Sequence, residues 1–315
     1  MIDIEVQPCP VCGASSESRF VFDKAGDGRG NDNISLYRCG SCKTVYLAKY
    51  NEYYDDELYA YYQKYRGREK EELYNPLTRK SYIKVLRLLS SHGGGVSILD
   101  VGCGKGDFVD AALDGGYKAE GIELAQPAVD IARGYGLPVT KLDFFSSDIQ
   151  ESSRDVVTMF EVIEHLPDPV AFLRRAEMVV KPGGLIYVTT PNFNSLDRRV
   201  LGSQWTAIHR EHLSYFTPST LLGAIQNNTT LELLHLETRN ISEELISHIK
   251  YRGRRGSSRS NDNHAIDRSA SEKPIDLRIK IEKSPLLLLL KRGANSVLNT
   301  TSLGSTIVML LRRPE

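Results

Sequence analysis

Ile98-Leu99-Asp100-Val101-Gly102-Cys103-Gly104-Lys105-Gly106-Asp107-Phe108 is the stretch from which the rest of this sequence is read. An apolar run over residues 96–101 predicts a buried parallel strand. Three glycines at alternate positions end it, and Phe108, Val109, Ala112 and Leu113 then recur on one helical face. Strand, glycine turn and helix make a nucleotide cradle, because glycine takes positive φ and lets the backbone approach a ligand. The helix N-terminus behind it offers free N–H groups. The spacing narrows the ligand. A dinucleotide fingerprint needs glycine where Asp107 stands, and a phosphate loop needs Ser or Thr after Lys105. Asp100 and Asp107 would repel a pyrophosphate and suit a ligand that carries positive charge.

With 315 residues the chain has room for one large α/β domain and a small appendage. Forty basic and forty acidic side chains leave no net charge, so no global field draws it to nucleic acid or a membrane surface. The N-terminus lacks an apolar signal segment, and the longest apolar run, residues 286–290, is too short to span a bilayer. These features set a cytoplasmic expectation with no membrane span. In a reducing compartment, paired cysteines read as metal ligands before disulfides.

Such pairs stand at Cys9-Pro10-Val11-Cys12 and Cys39-Gly40-Ser41-Cys42. Two C-x-x-C knuckles predict a closed tetrahedral site for a structural Zn2+, held by Cys9, Cys12, Cys39 and Cys42. Strand-like runs over 19–22 and 34–38, with a Gly/Asp/Asn turn over 27–33 between them, give a zinc-ribbon layout. The competing reading is two disulfides or four free thiols. From 46 to 65 the chain is dense in tyrosine: either a lid over the ligand, or an amphipathic connector whose rings are buried. A core-facing helix over 78–89 precedes the first strand.

Beyond the glycine turn, strands alternate with helices. Strands are expected at 117–124, 138–144, 155–160 and 185–190, and helices at 127–133 and 170–180. Lys181-Pro182-Gly183-Gly184 is expected to close the last of these helices. Alternation of this kind means an α/β, doubly wound, mostly parallel sheet, with ligands at the carboxyl ends of its strands. Glu123 stands about twenty residues past the cradle, where an acid takes both hydroxyls of a ribose. Thr217-Pro218 caps a helix over 220–225, a sixth strand covers 231–237, and a final strand covers 305–311.

Residues 96–192 resemble class I S-adenosylmethionine-dependent methyltransferases. The resemblance is carried by Leu99-Asp100-Val101-Gly102-Cys103-Gly104-Lys105-Gly106, by Phe160-Glu161-Val162-Ile163-Glu164-His165-Leu166 and by residues 185–192. It implies a seven-stranded sheet whose last antiparallel strand inserts between the fifth and sixth. It implies S-adenosyl-L-methionine as cofactor, whose sulfonium and amino group suit the acids. The implied cofactor set is Asp100, Gly102, Cys103, Gly104, Gly106, Phe108, Glu123, Leu124, Asp143, Phe144, Phe160 and Glu161, with Asp143 on the adenine amino group. The segment Trp205-Thr206-Ala207-Ile208-His209-Arg210-Glu211-His212-Leu213-Ser214-Tyr215-Phe216 resembles the one that many small-molecule and glycan methyltransferases place over the methyl group; the bland alternative is a packed loop. His165, His209 and His212 are the candidate bases. Glu211-His212 followed by Tyr215-Phe216 resembles the base-bearing segment of some zinc-containing sugar C-methyltransferases, which favours His212.

The resulting layout is a four-cysteine, zinc-ribbon-like module (1–48), a helical connector or lid (49–95), a methyltransferase core (96–240), a partly flexible insertion (241–300) and a final core strand (301–315). The basic cluster Arg252, Arg254, Arg255 and Arg259 in the polar stretch 251–274 is an RNA contact or a solvated loop. Three functions follow from this layout. The first is methyl transfer to a small molecule, sugar or glycan precursor at O or C. The second is an RNA methyltransferase gripping nucleic acid through the ribbon, which zero net charge argues against. The third is a binding module with a fossil cofactor site, which the acids at three strand ends argue against.

Overall fold

The computed structural model describes residues 6–15, 18–24, 34–49, 62, 76–242, 245, 246, 248 and 284–315. The turn at 27–33, most of the tyrosine-rich stretch and the basic cluster at 252–259 lie outside the described residues.

Seven strands build the central sheet: β4 (Ser97–Val101), β5 (Lys118–Glu123), β6 (Val139–Lys141), β7 (Arg154–Phe160), β8 (Val180–Pro191), β10 (Glu232–Arg239) and β11 (Thr306–Arg312). Their order across the sheet is β10-β11-β8-β7-β4-β5-β6. Strands β4 to β8 pair in parallel, and β11 runs antiparallel between β8 and β10. This is the expected doubly wound, mostly parallel arrangement, with the last strand inserted where the resemblance implied. The run from Leu185 to Val188 is fully buried, as a strand covered on both faces must be.

Helices α1 (Pro76–Ser91) and α2 (Asp107–Asp114) cover one face of the sheet, where Val85, Leu86, Leu89, Phe108 and Val109 pack on Ile98, Val156 and Val308. Helices α4 (Pro169–Val179) and α6 (Pro218–Asn228) cover the other, where Leu173, Leu221 and Ile225 pack with Val157, Ile186 and Met309. The remaining helices are α3 (Gln126–Gly134), beside β6, and the short α5 (Leu196–Leu201). The Thr217 side chain accepts from the Thr220 N–H, the expected cap of α6. Helix α7 (Pro285–Thr300) delivers the chain to β11.

Two strand bounds differ from expectation. Helix α4 ends at Val179, as the Lys181–Gly184 stop predicts, but β8 starts at Val180; residues 181–184, with Gly183 at φ 74°, bulge out between Val180 and Leu185, the two residues that pair with β7 on either side. The third parallel strand spans only Val139–Lys141, so Phe144 lies beyond it, and Asp143 stands in the turn that follows, its Oδ1 accepting from the Phe145 N–H at 2.7 Å.

A second sheet carries the N-terminal segment: β1 (Arg19–Lys24), β2 (Ile34–Arg38), β3 (Val45–Leu47) and β9 (Ser214–Tyr215). Strand β9 comes from the main domain. The ribbon is therefore hydrogen-bonded into the segment that carries His209 and His212. Ile34, Leu36, Val45 and Leu47 share a buried cluster with Trp205, Ile208, Leu213 and Tyr215.

Candidate functional site

Between β4 and α2 the chain turns through three glycines in left-handed geometry, Gly102, Gly104 and Gly106, with φ of 66°, 54° and 84°. Only glycine takes such values without strain. At Gly102 a Cβ would also stand 2.7 Å from Val162 Cγ2, so the loop lies directly against the residues that follow β7. At Gly104 a Cβ would come within 3.0 Å of the Tyr62 hydroxyl, which places one ring of the tyrosine-rich stretch at the loop.

Glu123, at the carboxyl end of β5, is joined to this loop. Its Oε2 accepts from the Gly104 N–H at 2.9 Å, and Oε1 accepts from Leu124 and Ala125 N–H at 2.8 and 3.0 Å. The side chain is half-buried, and Leu124 beside it is exposed. Asp143 stands on the neighbouring turn, next to the ring group of Phe144, Phe145 and Phe172. Phe144 is buried and Phe145 is open to solvent.

Asp100 and Phe108 lie beneath the loop, not on its open face. Phe108 is 2% exposed and packs on Tyr82 and Phe160. Asp100 accepts from Thr158 Oγ1 at 2.6 Å, and burial, reinforced by the charges of Glu123 and Asp107, pushes its carboxyl up to about 8. Cys103 is half-buried, with its sulfur against Gly121. Glu161 follows β7 with φ 54°, its N–H donating to Thr189 O at 3.1 Å.

The three candidate histidines come together. His165 lies in a 3-10 turn (Ile163–His165) after β7, and His209 and His212 lie in the arm before β9. The rings of His165 and His212 are 4.5 Å apart, and those of His209 and His212 are 3.7 Å apart. His165 Nδ1 donates to Glu211 O at 2.9 Å, and His212 Nδ1 donates to Ala207 O at 2.8 Å. A residue absent from the sequence-derived candidates completes the group. Glu164 is 1% exposed, accepts from Thr190 Oγ1 at 2.9 Å, and brings Oε1 to 4.0 Å from His212 Nε2. Burial lowers His165 to about 4 and pulls His212 well below its ordinary range. Burial and the charge of Glu161 drive the Glu164 carboxyl well up. The acidic residue next to His165 in Phe160-Glu161-Val162-Ile163-Glu164-His165 was the one available signal for it.

The cysteines also converge. Cys9 and Cys42 sulfurs are 3.6 Å apart, Cys12 and Cys39 sulfurs 3.5 Å, and all four lie within 4.8 Å of one another. Thiolates about 2.3 Å from a tetrahedral ion stand about 3.8 Å apart, so the donor set fits such an ion.

A family model described as a methyltransferase domain matches residues 62–234. The chain belongs to this methyltransferase family. Its members take the methyl group from S-adenosylmethionine. Glu123, whose Oε2 is tied to the loop at the Gly104 N–H, offers a carboxylate of the kind that takes the hydroxyls of a ribose. Among curated relatives, a ubiquinone biosynthesis O-methyltransferase of Vibrio atlanticus (strain LGP32) is 29% identical over 177 residues, 51% of this chain and 74% of the relative. The like-named protein of Vibrio vulnificus (strain YJ016) is 32% identical over 130 residues, 38% of this chain and 55% of the relative. The methyltransferase thus spans little more than half the length of this second relative. A solved structure from Galdieria sulphuraria, assigned there as a sarcosine dimethylglycine methyltransferase, covers 82% of this chain and 99% of its own, with a TM-score of 0.52 at 16% identity. That likeness speaks for the fold alone. Among the described residues no helix is long and apolar enough to cross a membrane.

Proposed function

We propose that this methyltransferase methylates a hydroxyl oxygen of a small-molecule acceptor. The observation that carries the reading is the buried Glu164–His165–His212 group, which follows in sequence the residue packed against the glycine loop. Val162, which touches the loop at Gly102, is two residues from Glu164. The O-methyltransferase names of the relatives support oxygen as the acceptor atom. S-adenosylmethionine supplies an electrophilic methyl group, and its departing thioether is neutral.

What remains for the chain is positioning in line and removal of the acceptor's proton. In this reading Glu123, oriented by the Gly104 N–H, holds the ribose end, Asp143 the adenine, and the Tyr62 hydroxyl stands at the loop. The acceptor oxygen is met at the Glu164–His165–His212 group, of which His212 is the most central ring. The four cysteines hold a structural Zn2+ that keeps the ribbon folded. The test is transfer of labelled methyl from S-adenosylmethionine to a panel of small phenols, sugars, nucleotide sugars and bulk RNA. Label appearing as an ether on a small hydroxylated compound supports the reading. Label confined to RNA, or to carbon, overturns it.

A further inference from the structure

We propose that Glu164, His165 and His212 form a binding site for a divalent metal ion, separate from the four-cysteine site. Whether the ion binds does not depend on the O-methylation reading; what it does there rests on that reading.

The three side chains come from two distant segments and present one ligand atom each, all within 4.8 Å of one another. His212 Nδ1 bonds a backbone carbonyl, which can only accept. The ring proton therefore sits on Nδ1, and Nε2 points its lone pair at Glu164. The separation from Glu164 Oε1 is 4.0 Å, too long for a hydrogen bond. Glu164 Oε1 is fully buried and has no hydrogen-bond partner among the described residues, while Oε2 is held by Thr190. With the carboxyl ionised, two acceptors face each other in a buried space. Such groups in native proteins are paired with a donor or a cation. An ion midway would stand about 2 Å from each, the distance at which a first-row divalent ion binds imidazole nitrogen and carboxylate oxygen.

The surroundings are those of a ligand set. Each imidazole has its Nδ1–H on a backbone carbonyl, Glu211 for His165 and Ala207 for His212, and the carboxylate has its second oxygen on a hydroxyl. Contacts of this kind fix tautomer and orientation around metal centres. Two imidazoles and one carboxylate suit Mn2+, Fe2+, Co2+ or Zn2+ and leave coordination positions open. His209 stacks on His212 and bounds the site without being a ligand. The four thiolates, by contrast, form a closed set that selects zinc.

Held by Glu164, His165 and His212, an ion would supply Lewis acidity to the acceptor hydroxyl and ease loss of its proton. The oxygen then forms its bond to the methyl carbon as the carbon–sulfur bond breaks, and the sulfonium leaves as a neutral thioether with one proton released overall. His212 Nε2 serves as a ligand in this scheme, not as the proton acceptor.

The experiment uses the full chain, dialysed free of loosely held metal, with its thiolate site filled by one equivalent of Zn2+. Mn2+ is the probe, because thiolates do not retain it against zinc, and free Mn2+ is read by electron paramagnetic resonance. One Mn2+ per chain is expected. Glu164→Gln and His212→Gln should each weaken it at least tenfold, with melting temperature and S-adenosylhomocysteine binding retained. Two variants guard against misfolding of either. Wild-type protein that binds no Mn2+, or Glu164→Gln protein that binds it equally well, overturns the proposal. Methyl transfer to a small hydroxyl that persists at full rate after chelation refutes the ion's role and leaves the O-methylation reading standing. Tight Mn2+ binding with methylation only of RNA does the reverse.

Discussion

The pairing of β3 with β9 makes the ribbon a support for the histidine arm, and Cys39→Ser tests it. Cys39 is fully buried and is one of four sulfurs that converge on one point, so its loss should release the ion and unfold the strands it anchors. Four hydrogen bonds or more then disappear between ribbon and arm. Leu47 N–H donates to Leu213 O at 3.0 Å, and the ladder joins Val45 to Tyr215 and Tyr46 to Ser214. Lys24 Nζ reaches Ile208 O at 2.7 Å and Trp205 O at 3.3 Å. At a net worth of about 1 kcal/mol each, discounted for the exposed part of Lys24, the arm loses about 3 kcal/mol of restraint. That corresponds to roughly a hundredfold rise in the open population. Hydrogen exchange followed by mass spectrometry reads it directly. Peptides covering 205–215 should exchange about a hundredfold faster in Cys39→Ser, while β4 and β5 keep wild-type protection. S-adenosylhomocysteine should still bind, because the glycine loop is elsewhere. Unchanged protection of 205–215 in a variant shown to have lost its zinc would refute the coupling.

Glu123→Gln should weaken S-adenosylhomocysteine binding roughly 10- to 100-fold by calorimetry. The amide places a donor against the Gly104 N–H and removes the charge from its bonds, a loss of about 1.5–3 kcal/mol; equal affinity would exclude the ribose role. Asp100 has a folded-state value of about 8 against an ordinary 3.8, so its contribution to stability is full at low pH and is lost as pH rises toward 8. Between pH 6 and 8 the cofactor-free protein should lose about 2–3 kcal/mol, and Asp100→Asn should flatten that part of the melting-temperature profile; identical slopes would refute this. His212→Ala should keep cofactor affinity and lose turnover by roughly 10²–10⁴-fold, with His209→Ala costing less. Wild-type turnover in His212→Ala across pH 6–9 would place activation of the acceptor elsewhere.

Local pattern was enough for the elements whose residues report on their own neighbours. The glycines at 102, 104 and 106 need left-handed φ, and that need is written in residue type. The alternation of apolar strand and amphipathic helix specified the doubly wound sheet, because burial on both faces leaves a continuous apolar run. The two knuckles brought four sulfurs together for the same reason, since each tight turn is encoded within four residues. Short elements were less legible. Three residues suffice for β6, so Asp143 fell outside it, and β8 begins at Val180 because that residue pairs with Arg154 of β7 ahead of the bulge at 181–184. What only the tertiary structure decided is which distant segments meet. Strand β9 is two residues long and exists because β3 supplies its partner. Glu164 carried no periodic signal; it matters because Thr190 holds one of its oxygens and His212, on an arm anchored by the ribbon, faces the other across 4.0 Å. Contacts of that separation are set by packing free energy summed over the whole core, and no local stretch of sequence contains them.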